Sequence, residues 1–285
     1  MSANQDMQQD IQFVTTLPAI ELQVGGSLTP GDRQVPVEAP VAVSFCGIGY
    51  AVMMATPCDL EDFAIGFAQS ERLIEAAGDV VEIDVRPGAD GILLGIELKP
   101  ERRDGVFERV RHRVGESSCG LCGIENLEQA LRPLPRVAVP PRLQSGILFQ
   151  ALETLRAHQP LNRETGAVHG AAWFDADGAL LAAREDVGRH NAFDKLIGHV
   201  MRTGIDPAAG FALLTARCSY ELVEKSALAG IALLVTVSAP TDLAVKRAEE
   251  AGLTLIALAR SDSMLLMTDP HELFGGSPSR FASDA

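Results

Sequence analysis

Hydrophobic and polar positions follow two different rhythms along this chain, and the change of rhythm near its middle divides it. Residues 1–35 are polar with scattered Gly and Pro, which predicts a loose, flexible arm. Apolar runs at 41–45 and 48–55 predict two strands joined by a Cys46-Gly47 turn. Thr56-Pro57 followed by Asp59, Glu61 and Asp62 predicts a helix start, with Pro inside the first turn and acids facing the dipole. Leu60, Phe63, Ala64 and Phe67 give that helix one apolar face. Runs at 80–85, 92–98 and 106–114 predict three further strands, separated by Gly, Pro and Asp turns.

Pro133, Pro135, Pro140 and Pro141 make 132–144 a connector, and beyond it the rhythm changes. Ser145 is expected to cap a helix running to about residue 159. Segments 168–174 and 179–183 predict a hairpin about Asp175-Ala176-Asp177-Gly178. Helix 191–202, strand 211–216, a helix from Ser219 to 229, strand 231–237, helix 241–251 and strands 253–258 and 264–267 follow. Strands alternating with helices of about ten residues predict a mainly parallel sheet covered on both faces. The expected organisation is α/β: an α+β portion over 36–131, the connector, a three-layer α/β domain over 145–273, and a flexible tail over 274–285.

Composition narrows the partners. At 47% hydrophobic and 22% charged the chain is of ordinary globular type. A formal charge of −14 argues against nucleic acid, whose phosphates call for clustered Lys and Arg. One basic run, Lys99, Arg102, Arg103, Arg109, Arg111 and Arg113, is the exception. On a strand, Arg109, Arg111 and Arg113 would share a face; a solvated face and an anion-binding wall both fit. The first Lys or Arg is Arg33 and no apolar run reaches membrane-spanning length, so neither a targeting segment nor a membrane span is expected. Five cysteines with one close pair suit a reducing cytoplasm better than a disulfide framework, and Cys46, Cys58 and Cys218 are expected as small buried hydrophobes.

The close pair is Cys119 and Cys122, in Ser117-Ser118-Cys119-Gly120-Leu121-Cys122-Gly123. Its glycines leave the backbone free to turn and present sulfur, and neighbouring thiols at this spacing favour thiolate. Structural zinc needs four ligands, and no second pair completes a set. A thioredoxin-like enzyme would place the pair at a helix start after the first βαβ strand; here it is expected on a loop leaving a strand. A zinc deaminase needs His-x-Glu before Pro-Cys-x-x-Cys, whereas His169 follows the cysteines and has Ala171 two residues on. Three polar clusters carry paired readings. The block from Arg184 to Lys195, which includes Arg189 and His190, is either helix capping with surface charge or a ligand site at a strand's carboxyl end. His169, in Thr165-Gly166-Ala167-Val168-His169, is either a satisfied structural group or a functional one. Ser238-Ala239-Pro240-Thr241 is either a cap or an anion site.

Taken together, Val35-Pro36-Val37-Glu38, Ala55-Thr56-Pro57-Cys58-Asp59-Leu60-Glu61-Asp62, Ser118-Cys119-Gly120-Leu121-Cys122-Gly123, Thr165-Gly166-Ala167-Val168-His169, the 185–195 block, Ser238-Ala239-Pro240-Thr241 and Gly252-Leu253-Thr254-Leu255 resemble the formate dehydrogenase accessory sulfurtransferase family, FdhD. The resemblance implies a cytoplasmic homodimer with a cytidine-deaminase-like three-layer core and no resident metal. It implies a sulfur carrier that takes persulfide sulfur from a cysteine desulfurase. The acceptor it implies is the molybdenum or tungsten bis-guanine-dinucleotide cofactor of formate dehydrogenase. Cys119 would carry the persulfide and Cys122 relay or resolve it; Leu258, Ala259, Arg260, Ser261, Asp262 and Ser263 would bind the cofactor, with His169 and Arg189 beside them. The chain departs from the family pattern at Cys46-Gly47, Glu71-Arg72, Thr215-Ala216-Arg217 and Leu258. A cofactor chaperone that transfers no sulfur, and a thiol-disulfide oxidoreductase, are the competing classes.

Overall fold

The computed structural model describes residues 12–116 and 132–275. The first strands are β1 (Val14–Leu22) and β2 (Leu28–Pro36), paired antiparallel into a ribbon. This corrects the expected loose arm from residue 14 onward. Backbone pairing across a Gly25-Gly26 turn, with both glycines at positive φ, supplies the order that a polar composition hides.

Next come β3 (Ala39–Phe45), β4 (Ile48–Ala55), α1 (Leu60–Ser70), β5 (Val80–Pro87) and β6 (Ile92–Leu98). The strands form one sheet in the order β4-β3-β6-β5, parallel between β3 and β6 and antiparallel elsewhere. Alternation turns Val41, Val43 and Phe45 inward with Leu94 and Ile96, where α1 covers them. Phe67 of α1 stacks on Phe45 at 6.3 Å between ring centroids and on Phe63 at 5.5 Å. Pro57 lies outside α1, whose N-cap is Asp59 in the left-handed region with φ 50°.

Helix α2 (Pro100–Glu116) replaces the strand expected over 106–114. Pro100 at its start and Glu101 in the first turn are helix-opening residues, and Val106 and Val110 lie one helical turn apart against the core. Glu and Arg are good helix formers, so propensity and the four-residue spacing outweigh the local apolar alternation. The shared arginine face disappears with the strand. Arg109 instead pairs with Glu71 at 2.7 Å, and the cysteine segment follows a helix.

The second half contains α3 (Ser145–Ala157), α4 (Pro160–Thr165), β7 (His169–Asp175), β8 (Leu180–Asp186), α5 (Arg189–Thr203), β9 (Gly210–Leu214), α6 (Tyr220–Leu228), β10 (Leu233–Thr236), α7 (Asp242–Ala251), β11 (Thr254–Ala257) and β12 (Leu265–Thr268). Six strands form a sheet in the order β12-β11-β10-β9-β7-β8. The sheet is mixed: β9, β10 and β11 run parallel, while β12 and the β7–β8 hairpin are antiparallel to their neighbours. Helices α5, α6 and α7 cover one face over Trp173, Leu214, Leu234 and Leu255. Helix α3 covers the other over Phe174, Phe211, Leu213 and Val235.

Helices α1 and α5 join the halves. A Cβ on Gly66 would meet the Asp194 carbonyl oxygen at 1.8 Å, and one on Gly198 would meet that of Asp62 at the same distance. Only glycine permits this crossing. Beside it Lys195 Nζ and Asp186 form a fully buried ion pair at 2.7 Å. Asp186 also accepts the Thr56 N–H at 3.0 Å, and Lys195 donates to the Thr56 carbonyl at 2.9 Å. Arg184 and Arg202 both clamp Asp62 at 2.7 Å.

Candidate functional site

In the sheet of the second half, β9, β10 and β11 end at the same edge, and register fixes what stands there. Leu214 pairs with Thr236 and with Ala171, and Val235 pairs with Ile256. The turns after the three parallel strands therefore stand side by side, next to the start of β7, where His169 faces Asp186 at the end of β8. Carboxyl ends of parallel strands are where open α/β sheets bind ligands.

Backbone hydrogen bonds lock these turns together. Val237 N–H donates to Leu214 O at 2.9 Å, Leu258 N–H to Ser238 O at 3.3 Å and Ala259 N–H to Thr236 O at 3.1 Å. Cys218 and Thr241 bond to the neighbouring turn at 3.2 and 3.0 Å. Leu258 takes φ 50°, a conformation that costs a side-chain-bearing residue energy and turns the chain sharply out of β11. Ala259 is fully buried, and Arg260 N–H closes a turn onto Ser263 O at 2.8 Å. Arg260, Ser261, Asp262 and Ser263 consequently stand exposed at the edge. Arg260 Nη1 also donates to the Val237 and Ala259 carbonyls.

Helix α5 begins at this edge with Arg189 and His190. Arg189 Nε is buried with no hydrogen-bond partner among the described residues. Burial, helped by the Arg189 charge, lowers the pKa of His169. His190 is pushed down to about 4 by burial and then by Lys225 and Arg189. The Asp194 charge pulls the other way and is outweighed. The ring stays neutral near pH 7, so its 3.3 Å contact with Glu221 is not an ion pair there.

The structure thus brings His169, Arg189 and Leu258 to Ser263 to one edge, with Ser238 to Thr241 between them. Cys119 and Cys122 lie outside the described residues. The rest of the 184–195 block serves elsewhere: Arg184, Asp186, Asn191 and Lys195 tie the halves, and Asp194 pairs with Lys225 at 2.5 Å rather than with His190. Glu185 receives the N–H groups of Leu161 and Asn162 at 2.9 and 2.8 Å, capping the start of α4. Thr241 is a true cap, accepting from Ala244 N–H at 3.2 Å. Sequence reasoning missed Thr215, whose hydroxyl accepts the Gly170 N–H at 2.9 Å and fixes the strand beside His169. It also missed Glu221, whose only signal was its place in the first turn after Ser219.

Two of the remaining cysteines are poor nucleophiles. Burial raises the Cys58 thiol to about 11, although Lys195 lies 3.6 Å away, and raises Cys218 to about 12.

A protein-family model described as FdhD/NarQ matches residues 36–274. A curated relative from Xanthomonas euvesicatoria pv. vesicatoria, named "Sulfur carrier protein FdhD", is 47% identical over 255 residues, covering 87% of this chain and 89% of the relative. One of the same name from Agrobacterium fabrum is 43% identical over 244 residues, covering 85% and 90%. A solved structure from Desulfotalea psychrophila, assigned as a formate dehydrogenase accessory protein, superposes with a TM-score of 0.71. It is 24% identical, covering 91% of this chain and 99% of that one, and this likeness bears on the fold alone.

Proposed function

The chain belongs to the FdhD/NarQ family, and from that premise we propose that it is a sulfur carrier acting through a persulfide on Cys119. The observation that carries this reading is the family match over residues 36–274, which takes in Cys119 and Cys122. Burial of Cys58 and Cys218 supports it, because a protonated, buried thiol is a poor sulfur acceptor.

The Cys119 thiolate attacks the terminal sulfur of a persulfide borne by a cysteine desulfurase. A new sulfur–sulfur bond forms on Cys119, the donor's sulfur–sulfur bond breaks, and the donor cysteine leaves as thiolate. Cys122 stands ready to relay or resolve the persulfide. The substrate that receives the sulfur is the molybdenum or tungsten bis-guanine-dinucleotide cofactor of a formate dehydrogenase, a soft centre suited to sulfur. One guanine-nucleotide arm lies on the turn from Leu258 to Ser263, with His169 and Arg189 alongside. Arg189's unpartnered Nε suits a phosphate oxygen there. We read the sheet of the second half as cytidine-deaminase-like, the protein as a cytoplasmic homodimer, and the site as free of resident metal.

Intact-mass spectrometry after incubation with a cysteine desulfurase and cysteine is the test. One added sulfur, about 32 Da, is expected on the peptide carrying Cys119, and Cys119→Ala abolishes it. Equal loading of Cys46, Cys58 or Cys218 would remove the assignment. Nucleotide binding is tested by calorimetry, where GDP should bind more tightly than ADP. Arg260→Ala should weaken GDP by about 1.5 kcal/mol, the lower end for a charged hydrogen bond, because the guanidinium also holds two carbonyls of its own chain. Equal affinities for GDP and ADP would contradict the guanine assignment.

A further inference from the structure

Three successive residues where α1 ends each reach a different element. Ser70 Oγ donates to Asp194 of α5 at 2.6 Å, and Lys225 of α6 holds the same carboxylate at 2.5 Å. Glu71 pairs with Arg109 of α2 at 2.7 Å and accepts the Tyr50 hydroxyl at 2.5 Å. Arg72 Nη2 donates to the Pro133 carbonyl of the connector at 3.4 Å. The connector is fastened to the second half as well, where Arg247 of α7 donates to the Arg132 carbonyl and Val137 N–H donates to Ala251 O at 2.9 Å. α2 leads into the segment that carries Cys119 and Cys122, and the connector leads out of it. The helix entering that segment and the chain leaving it are thus fastened to neighbouring residues, Glu71 and Arg72. Arg72 does this against the preference of its backbone. Arg72 N–H donates to Gln69 O at 2.8 Å and Leu73 N–H to Ala68 O at 2.9 Å, the paired bonds that close a helix through a left-handed residue. Arg72 is that residue, at φ 57°, where glycine is unstrained and arginine is not. Its side chain is half-buried and crowded by like charge. Burial lowers its pKa, Glu224 of α6 opposes that, and Arg132, Arg109 and Arg247 add to it.

We propose that Ser70-Glu71-Arg72 is a positioning hub for sulfur transfer, in which Arg72 holds the chain leaving the cysteine segment against α6 and so sets where Cys119 meets the cofactor edge. Resting on the sulfur-carrier reading, this role adds to it a residue that touches neither the sulfur nor the cofactor. The hub and the edge share a support. Glu221 of α6 contacts His190 at the edge, and one helical turn further on Glu224 faces Arg72 while Lys225 grips the carboxylate that Ser70 bonds. α6 therefore carries the edge at its first turn and the hub at the next. A strained backbone whose side chain reaches from one half of the molecule to the other marks a residue kept for what that side chain holds. Glycine would close α1 equally well and leave Pro133 without its cation.

Single-turnover delivery tests the hub. The full chain is loaded by a cysteine desulfurase with cysteine, then mixed with formate dehydrogenase isolated without sulfur on its metal centre, and the onset of formate oxidation is timed. Arg72→Gly and Arg72→Ala should each deliver at least about 10-fold more slowly than the parent, since small displacements of a reacting group cost rate on that scale or above. Arg72→Lys keeps a cation within reach of Pro133 and Glu224 and should deliver within about threefold of the parent. Melting should separate the two slow variants: Arg72→Gly, relieved of the left-handed strain, should melt above Arg72→Ala although they deliver alike. Delivery then follows the cation and stability follows the backbone, which a merely structural role does not produce. Exchange of the Val137 amide should quicken in the glycine and alanine variants and not in Arg72→Lys. Equal delivery by all four proteins, delivery that tracks melting temperature, or no recovery in Arg72→Lys would each overturn the hub. Sulfur on Cys119 is measured by mass in every protein. A parent that takes up none overturns the carrier reading and the hub together, whereas a parent that loads and variants that deliver like it overturn the hub alone.

Discussion

His190 shows how a single side chain at the site couples to stability. Its folded pKa of about 4 lies below the ordinary 6.5, so the unfolded chain binds the extra proton first as pH falls. The contribution is fully present above pH 6.5 and is lost on acidification toward pH 4. By pH 5 the loss amounts to roughly 2 kcal/mol, from 1.36 kcal/mol per unit. Urea unfolding at pH 7 and pH 5 should show that loss in the parent, and His190→Gln, which does not titrate, should remove most of it. An unchanged pH slope in His190→Gln would mean that other groups set the acid sensitivity. His169 and Arg189 were legible as candidates because polar residues at strand starts and helix starts stand out from their neighbours. Their separation from Asp186 and Lys195, only a few residues away, was not. Whether a charge in such a block faces solvent, ligand or the other half depends on which helix packs over it, and that is a tertiary fact.

At the scale of elements, period was a good guide where one face is buried and a poor one where it is not. β3 to β12 match their expected positions within a few residues, β3 and β6 because one buried face fixes their alternation and β9 to β11 because short, wholly buried strands read as continuous apolar runs. α2 was misread because its sequence alternates over a short stretch, while the evidence for helix lay in Pro100, Glu101 and spacing over four residues. The ribbon was missed because strands without a covered face carry no apolar alternation that points to a core. Glycine makes the sharpest test at this scale. Gly66→Ala and Gly198→Ala each drive a methyl into backbone across the α1–α5 crossing, where no flexible side chain can yield. Each should destabilise by about 3 kcal/mol or more in denaturant titration, at or above the upper part of the overpacking range. Gly105→Ala is the control. It lies in exposed α2 with nothing within 4 Å of its would-be Cβ, so alanine's helix propensity should stabilise by about 0.5–1 kcal/mol. If all three behaved alike, the close crossing would not be what joins the helices.

For the molecule as a whole, the change of rhythm in the sequence suggests two separable parts, yet the contacts between α1 and α5 join them. Asp186 and Lys195 lie entirely out of water, and each also bonds the backbone of Thr56 in the other half. Such a pair adds little net stability compared with apolar packing, but removing one partner strands the other. Lys195→Met therefore leaves a buried carboxylate and should cost about 3–5 kcal/mol. The loss should fall on both halves together, because the stranded group sits on their boundary. Trp173, the one tryptophan of the chain, reports the core of the second half. Amide exchange at Val43 and Leu94 reports the core of the first. In the parent the two probes should follow one denaturant transition, and in Lys195→Met both midpoints should move down by the same amount. A first half that melts on its own while Trp173 stays buried would show that the crossing and its ion pair do not couple the two cores.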